Sequence, residues 1–187
     1  MGNREKIVDA ALYSFTHKGF HQTSMRDIAR VAGVSVGNLY NHFAGKEALI
    51  GEIAFLESRF FTELATQLMA NKDRPKLALS AFFAAYYAFV ASPGNVQLSA
   101  EIVAEVARNP ALAETFGANQ QQLTGALEQV ITLAQQGEVI EPALNPRELA
   151  QLILDAIESQ AWRQTIFPSC MPTAVTLNPL LEQLIFR

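Results

Sequence analysis

The chain has 187 residues, a formal net charge of −4 and a half-apolar composition, with 17% charged residues. This composition excludes an intrinsically disordered chain, and the length suffices for one or two domains with a sizeable core. A single cysteine, Cys170, excludes an internal disulfide and is consistent with a cytoplasmic location. The N-terminus lacks the apolar core of a signal peptide, and the longest apolar run, residues 77–91, falls short of the roughly 20 residues of a spanning helix, so no membrane contact is predicted.

Charge is distributed unevenly along the chain. Residues 1–50 hold six Lys/Arg, four Asp/Glu and all three histidines, whereas the remainder holds eight basic and fourteen acidic residues. A slightly basic N-terminal part on an acidic body suits a protein that contacts nucleic acid at one end only.

The first predicted helix covers about residues 4–18 and is expected to end at Gly19, where a glycine can adopt positive φ at no steric cost. His17 and His21 lie four residues apart, but Gly19 breaks the helix between them and removes their shared face. No metal site and no cofactor is therefore predicted. The inner face of this helix is formed by Ile7, Ala10, Ala11 and Phe15.

Residues 23–43 predict two short helices joined by a tight turn. Thr23 or Ser24 is expected to cap the first helix by accepting a hydrogen bond from an unpaired backbone N–H. Gly33 lies where the apolar stripe of that helix ends, as a sharp turn requires. The stripe has the helical spacing i, i+3, i+4 and i+7 and consists of Met25, Ile28, Ala29 and Ala32.

The second of these helices is predicted to begin after Ser35, with Leu39 and Phe43 facing inward. It is an intrinsically poor helix, because Gly37 alone costs about 1 kcal/mol relative to alanine. Its small outward residues permit close approach of the backbone to another molecule, and the major groove of DNA admits a helix of this kind. Two short helices around a glycine-containing turn are typical of a helix-turn-helix.

Lys46 begins the next predicted helix. A cation in a first helical turn opposes the helix dipole, but it could bind a phosphate together with the helix N-terminus. The alternative is a solvated lysine offset by Glu47. Beside the preceding pair of helices, we favour the phosphate contact.

The segment Thr23–Leu49 resembles the DNA-binding segment of the TetR family of transcriptional regulators. The resemblance implies an all-α chain with an N-terminal three-helix helix-turn-helix DNA-binding domain, residues 1–48. It also implies a C-terminal helical effector-binding and dimerisation domain, residues 49–187. The residues that carry it are Ile7, Ala10, Ala11, Phe15, Gly19, Phe20, Ile28, Ala29, Ala32, Gly33, Val34, Ser35, Leu39, Tyr40, His42, Phe43, Lys46, Glu47 and Leu49.

DNA-contacting residues are expected on and around the second helix of the motif. Hydroxyl, backbone N–H and charged groups supply phosphate contacts, and Val36 and Asn38 are expected to read bases, a thymine methyl and an adenine respectively. Tyr40 and His42 can contribute to both. The full predicted set is Ser24, Ser35, Val36, Gly37, Asn38, Tyr40, Asn41, His42 and Lys46.

The C-terminal part is predicted to consist of further helices, with a turn at residues 92–95 and an interruption at residues 168–172. The helix over residues 76–92 is apolar on nearly all sides, which predicts burial on nearly all sides. The expected helices cover about residues 46–70, 76–92, 96–108, 110–136, 146–166 and 177–186.

Aromatic side chains in this part are candidates for a pocket that binds a small, hydrophobic or aromatic effector, although ordinary core packing would give the same residues. The candidates are Phe60, Phe82, Phe83, Tyr86, Tyr87, Phe89 and Trp162.

The last two helices carry more apolar surface than one layer of neighbours can cover. In the resembled family such helices pair with their copies as a four-helix bundle, and a dimer also suits the reading of a palindrome. The alternative is that they only close the core of the monomer. The predicted interface residues are Leu149, Leu152, Ile153, Ala156, Ile157, Gln160, Leu180, Leu181 and Leu184.

The predicted function is that of a dimeric regulator, a repressor, which binds a palindromic operator in double-stranded DNA and is released by a small-molecule effector. Two rivals stay open: a DNA-binding protein without a small ligand, and a helical carrier of apolar molecules. An enzyme is not predicted, because all histidines lie in the N-terminal part, far from Cys170, and no glycine-rich phosphate loop occurs.

Overall fold

The computed structural model describes residues 2–170 and 177–187, and within these ranges the regular secondary structure is helical apart from one isolated bridge between Ile140 and Phe186. The predicted all-α fold is confirmed. The helices are α1 (Asn3–Lys18), α2 (Met25–Ala32), α3 (Val36–His42), α4 (Lys46–Ala70), α5 (Pro75–Val90), α6 (Pro93–Val106), α7 (Pro110–Gln136), α8 (Pro146–Ile166) and α9 (Leu177–Ile185), with a short 3₁₀ helix at Pro168–Cys170. Met171 and Pro172, part of the predicted interruption, lie outside the described residues.

Capping residues explain where several helices begin. The Asn145 side chain accepts hydrogen bonds from the N–H groups of Arg147 and Glu148 at 3.0 and 3.1 Å. Asn109 does the same at the start of α7. In both cases a proline follows at the first helical position, where its missing N–H has no consequence.

The start of α6 differs from the sequence prediction, which placed a turn at residues 92–95. The helix begins at Pro93, and the Ser92 carbonyl already accepts from the N–H groups of Asn95 and Val96 at 2.9 and 3.1 Å. The reason is that proline has the φ angle of a first helical turn, so Ser92-Pro93 opens a helix as readily as it makes a turn.

The prediction that α5 is buried on nearly all sides is wrong for one face. The helix buries Phe82, Phe83 and Tyr86, and its other aromatic residues are half-buried. In contrast, Leu77 is 56% exposed, and alanines at successive turns continue this open face. Alanine exposes little apolar area, so a helix can leave such a stripe uncovered at low cost. The exposed alanines are Ala81, Ala84 and Ala88.

The chain divides into two compact units: Met1–Ser58 with Gln97–Gly117, and Arg59–Val96 with Ala118–Arg187. The first unit contains α1, α2 and α3 and has its own hydrophobic core, to which α4, α6 and α7 also contribute. That core includes Ile7, Phe15, Phe20, Ile28, Leu39, Phe43, Leu49, Ile50, Ile102 and Leu112.

The second unit packs α5 and α8 together with parts of α4, α7 and α9 around a second core. Its largest buried side chains are aromatic and aliphatic residues such as Phe61, Phe83, Tyr86 and Leu123. Among the described helices, none is by itself long and apolar enough to cross a membrane. The required length and composition are reached only by a bent pair of consecutive helices, Pro75–Val90 and Gly94–Val106, taken together.

Candidate nucleic-acid interface

The start of α2 is fixed by a reciprocal capping box between Ser24 and Asp27. The Ser24 Oγ accepts from the Asp27 N–H at 3.2 Å and donates to Asp27 Oδ2 at 2.7 Å, and the Ser24 N–H donates to the same carboxylate at 3.1 Å. These hydrogen bonds from Ser24, with the charge of Lys18, hold the pKa of Asp27 well below its usual range. The Ser24 hydroxyl hydrogen is therefore used inside the protein.

The turn between α2 and α3 has the sharp geometry that was predicted from the position of Gly33. Gly33 has φ 67° and ψ 32°, the left-handed conformation, and its N–H bonds back to the Ala29 and Arg30 carbonyls. The Val34 N–H also bonds to the Ala29 carbonyl, at 3.0 Å. These backbone hydrogen bonds satisfy the last carbonyls of α2 and so fix the direction of α3 relative to α2.

α3 is held by its cap and by two buried side chains. The Ser35 Oγ accepts from the Asn38 N–H at 3.1 Å, and Leu39 and Phe43 lie in the core of the first unit. Both inward residues and the cap are as predicted. Among the described residues, the Ser35 side chain has this one hydrogen bond.

The outer face of α3 is open to solvent. Val36 and Tyr40 are 36% and 52% exposed, and the Gly37 position has no heavy atom within 4 Å of where a Cβ would lie. Asn41 and His42 are exposed as well. The helix therefore presents a short, low-relief surface with one aromatic ring, which is the shape that a groove-binding helix requires.

Asn38 differs from the other outward residues because it is half-buried. Its Oδ1 is buried and finds no hydrogen-bond partner among the described residues. A bidentate contact with adenine needs both the oxygen and the nitrogen of the amide. The predicted base contact of Asn38 therefore requires the amide to rotate when DNA binds.

Lys46 is half-buried and has partners within the protein. Its Nζ donates to the Phe20 carbonyl at 2.7 Å and lies 4.3 Å from the centroid of the Phe20 ring. An ammonium has three donors, so a phosphate contact remains compatible with this position. The sequence alone gave no sign of the contact with Phe20, which lies 26 residues away.

Two exposed arginines on α2 were not among the predicted residues. Arg26 and Arg30 lie one helical turn apart, and Arg30 pairs with Asp27 at 3.0 Å. The sequence did contain an indication of them, because their i, i+4 spacing places both on the polar side of an amphipathic helix whose other side is buried. They add positive charge to the unit that carries α3.

The predicted pocket residues fall into two groups in the second unit. Phe82, Phe83 and Tyr86 are buried in its core, whereas Phe60, Tyr87, Phe89 and Trp162 are half-buried. The rings of Phe60 and Phe89 stack with centroids 4.1 Å apart. A cavity of about 290 Å³ in this unit has a different lining, which consists of Gln120, Gln121, Thr124, Arg147, Glu148 and Gln151.

A half-buried carboxyl group, that of Glu158, belongs to the same unit. Glu158 accepts a hydrogen bond from the Tyr86 hydroxyl and a further one from the Gln120 side chain. Burial raises the pKa of Glu158 above its usual range, and the nearby Asp155 raises it further, while the two hydrogen bonds oppose the shift. The ionised form is therefore less stable in the folded chain than in the unfolded chain.

We expect Glu158→Gln to stabilise the protein at neutral pH and to have little effect in acid. A raised folded pKa means that the favourable contribution of Glu158 is complete below its unfolded pKa and is lost as the pH rises through the folded pKa. The gain should be of the order of 1 kcal/mol, the usual scale for one substitution. Chemical denaturation at pH 4 and pH 8 measures it; Glu182→Gln, on α9, is the control, and an equal effect at both pH values would contradict the assignment.

The predicted interface residues of α8 and α9 also fall into two groups. Leu149, Ile153, Ile157 and Leu181 are buried in the core of their own unit, so they support these helices from inside. Among the others, Leu152 is 63% and Leu184 72% exposed. The remaining residues are Leu180, which is exposed, and Ala156 and Gln160, which are half-buried.

The capped helix pair, its glycine turn and the exposed face of α3 define a helix-turn-helix protein of the all-α class. Residues 7–53 match the family described as "Bacterial regulatory proteins, tetR family". The HTH-type transcriptional regulator UidR of Escherichia coli K12 is 31% identical over 153 residues, which cover 81% of this chain and 76% of UidR. The chain belongs to the TetR family of transcriptional regulators, which are typically repressors.

Solved structures show the same fold over the full length. The ketosteroid transcriptional regulator KstR2 of Mycobacterium tuberculosis superposes with a TM-score of 0.75 at 20% identity, covering 100% of this chain and 96% of KstR2. FadR of Bacillus subtilis, solved in complex with stearoyl-CoA, gives a TM-score of 0.76 at 20% identity, with 96% of each chain covered. At these identities the likeness concerns the fold.

Proposed function

We propose that the protein is a repressor that binds a palindromic operator as a homodimer through α3 and is released by a small-molecule effector. The observation that carries the proposal is the outer face of α3, where Val36, Gly37 and Tyr40 form a low, solvent-exposed surface on a helix held from behind by Leu39 and Phe43. At Gly37, no described heavy atom lies within 4 Å of where a Cβ would be, so packing does not require a residue this small.

In this proposal, the contacts divide by chemistry. Ser35, the backbone near Gly37, and His42 and Lys46 contact phosphates, which position α3. Val36 and Asn38 read base edges, and Tyr40 contributes to both kinds of contact. Ser24 and Asn41, both exposed, complete the set. The exposed Arg26 and Arg30 add to the attraction of the phosphate backbone.

The effector part of the proposal rests on the second unit. Its aromatic side chains supply a surface for an apolar or aromatic ligand, and the relative FadR of Bacillus subtilis was solved with stearoyl-CoA. A ligand releases the operator only if it binds the conformation with weak DNA affinity more tightly than the other.

Fluorescence anisotropy with the DNA upstream of the protein's own coding region tests this function. We expect tight binding that resists competitor DNA and weakens with salt, because phosphate contacts release counterions. Random DNA is the control. If neither that DNA nor sites selected from a random pool bind more tightly than random DNA, sequence-specific binding is excluded.

The two capping serines give a matched pair of variants. Ser35→Gly should keep most of the cap, since glycine costs only a few tenths of a kcal/mol at this position. It removes the hydroxyl that can donate to a phosphate, so we expect operator affinity to fall about tenfold, the value of a hydrogen bond to a charged group.

Ser24→Gly is the control for this pair, because the Ser24 hydroxyl already donates to Asp27. We expect a smaller loss of affinity from it, with both variants assayed well below their melting temperatures. Equal losses would mean that the Ser35 hydroxyl has no special part in phosphate binding.

A further inference from the structure

Within the first unit, the backbone of Phe20 is held on both sides of its Cα, through its N–H and through its carbonyl. Its N–H donates to Glu101 Oε2 at 2.7 Å, and its carbonyl accepts from Lys46 Nζ at 2.7 Å. The Phe20 ring is buried, and the same ammonium lies 4.3 Å from its centroid. Three elements therefore meet at one residue: the loop between α1 and α2, the start of α4, and α6.

The loop is shaped to receive the Glu101 carboxylate. Gly19 has φ 82°, and a Cβ on it would lie 3.2 Å from Glu101 Oε2, so a larger residue would press on the carboxylate. One turn further along α6, Glu105 lies 2.9 Å from His21 Nε2. α6 thus presents two carboxylates at i, i+4 to two consecutive residues of the loop.

The loop determines where α2 begins. The Thr23 side chain is buried, and its hydroxyl donates to the carbonyls of Ser14 and Gly19 at 3.2 and 2.7 Å. Ser24, the next residue, caps α2, and α3 follows through the glycine turn. A displacement of the Phe20 backbone would therefore change the orientation of α2, and with it that of α3, within the unit.

We propose that Glu101 and Lys46 are positioning residues for DNA binding, which clamp the backbone N–H and carbonyl of Phe20 and so fix the orientation of α2 and α3. This inference rests on the proposed DNA-binding function and adds to it a residue, Glu101, that lies on none of the three N-terminal helices. Lys46 acts here through its hydrogen bond to the Phe20 carbonyl and its contact with the Phe20 ring, whether or not it also contacts a phosphate.

The direction in which DNA affinity changes when Glu101 is replaced distinguishes a positioning role from a purely electrostatic one. A carboxylate repels DNA phosphates, so its removal by charge alone should strengthen binding slightly at low salt. Loss of positioning weakens binding. The two explanations therefore predict opposite changes in affinity for the same variant.

The test compares Glu101→Ala with Glu101→Gln in the full chain, with Glu114→Ala, an exposed glutamate of α7 in the same unit, as the control. The glutamine carbonyl can still accept from the Phe20 N–H, whereas alanine cannot. We expect Glu101→Ala to bind the operator at least about tenfold more weakly, the lower end of the range for a hydrogen bond to a charged group. We expect Glu101→Gln to stay within about twofold of the native protein, with the same salt slope in all variants.

A double-mutant cycle examines the link through Phe20. Glu101→Ala and Lys46→Ala should be non-additive, because either substitution removes one of the two hydrogen bonds that hold the backbone of Phe20. Amide hydrogen exchange gives a readout without DNA: the Phe20 N–H should lose protection in Glu101→Ala and keep it in Glu101→Gln.

The outcomes separate this inference from the function on which it rests. If the native protein shows no specific DNA binding, the proposed function fails, and the exchange of the Phe20 amide still tests the clamp. If the native protein binds and Glu101→Ala binds equally well or more tightly, the positioning role is overturned. A lower melting temperature with unchanged affinity overturns it as well, because that is what a purely structural contact would give.

Discussion

Replacement of Gly37 by glutamine is expected to abolish specific DNA binding and to leave the fold intact. Gly37 lies inside α3 with open space at its Cβ position, so the new side chain meets no atom of the protein. Glycine in a helix interior is about 1 kcal/mol less favourable than alanine, and glutamine is a good helix former. Stability should therefore rise slightly.

DNA binding should change in the opposite direction. α3 has a low outer surface at Gly37, and a glutamine side chain there would hold its backbone away from the groove. Specific complexes of such proteins are typically 10³ to 10⁷ times tighter than non-specific ones, so we expect a loss of at least about 100-fold. Anisotropy with the operator measures affinity, and thermal unfolding measures stability.

The control is Gly117→Gln in α7, the same substitution at another helical glycine with open space at its Cβ. It should give the gain in stability without the loss of binding. If Gly37→Gln binds the operator as tightly as the native protein, the outer face of α3 does not approach DNA, and the assignment of the interface is wrong.

The sequence predicted the helix-turn-helix closely because its signals are local. Capping by Ser24 and Ser35 and the left-handed Gly33 depend on residues within one helical turn, so the pattern determines the geometry. The same holds for Asn145 at the start of α8, where the next residue is a proline. Such signals remain valid whatever the rest of the chain does.

The contacts that the sequence did not predict join distant residues. Glu101 and Phe20 are 81 positions apart, and Tyr86 and Glu158 are 72 positions apart. No periodicity or cap encodes such a pair, because the partners come together only through packing. For the same reason the composition of α5 did not show which face of the helix would remain open at Leu77.

Core and interface residues also look alike in a sequence. Ile153 and Leu152 are adjacent apolar residues of α8, yet the first is buried in its own unit and the second is 63% exposed. Leu184 of α9 is 72% exposed. These exposed leucines are the part of the predicted dimer interface that remains available to a partner.

Leu184→Glu is therefore expected to convert a dimer into a monomer without unfolding the chain. An exposed side chain contributes little to the stability of the monomer. A carboxylate buried in an apolar interface, however, costs several kcal/mol of desolvation. We expect the dimer dissociation constant to rise at least about 100-fold, which corresponds to roughly 3 kcal/mol. In the proposed dimer each copy of α3 reads one half-site, so affinity for the palindrome should fall while affinity for a single half-site stays the same.

Sedimentation velocity across a range of concentrations measures the association, and circular dichroism verifies the fold. Leu152→Glu should act in the same way, because Leu152 belongs to the same predicted interface. Leu77→Glu is the matched control: Leu77 is 56% exposed in the same unit but lies on α5, outside that interface. A dimer that survives Leu152→Glu and Leu184→Glu but dissociates with Leu77→Glu would move the interface to the open face of α5.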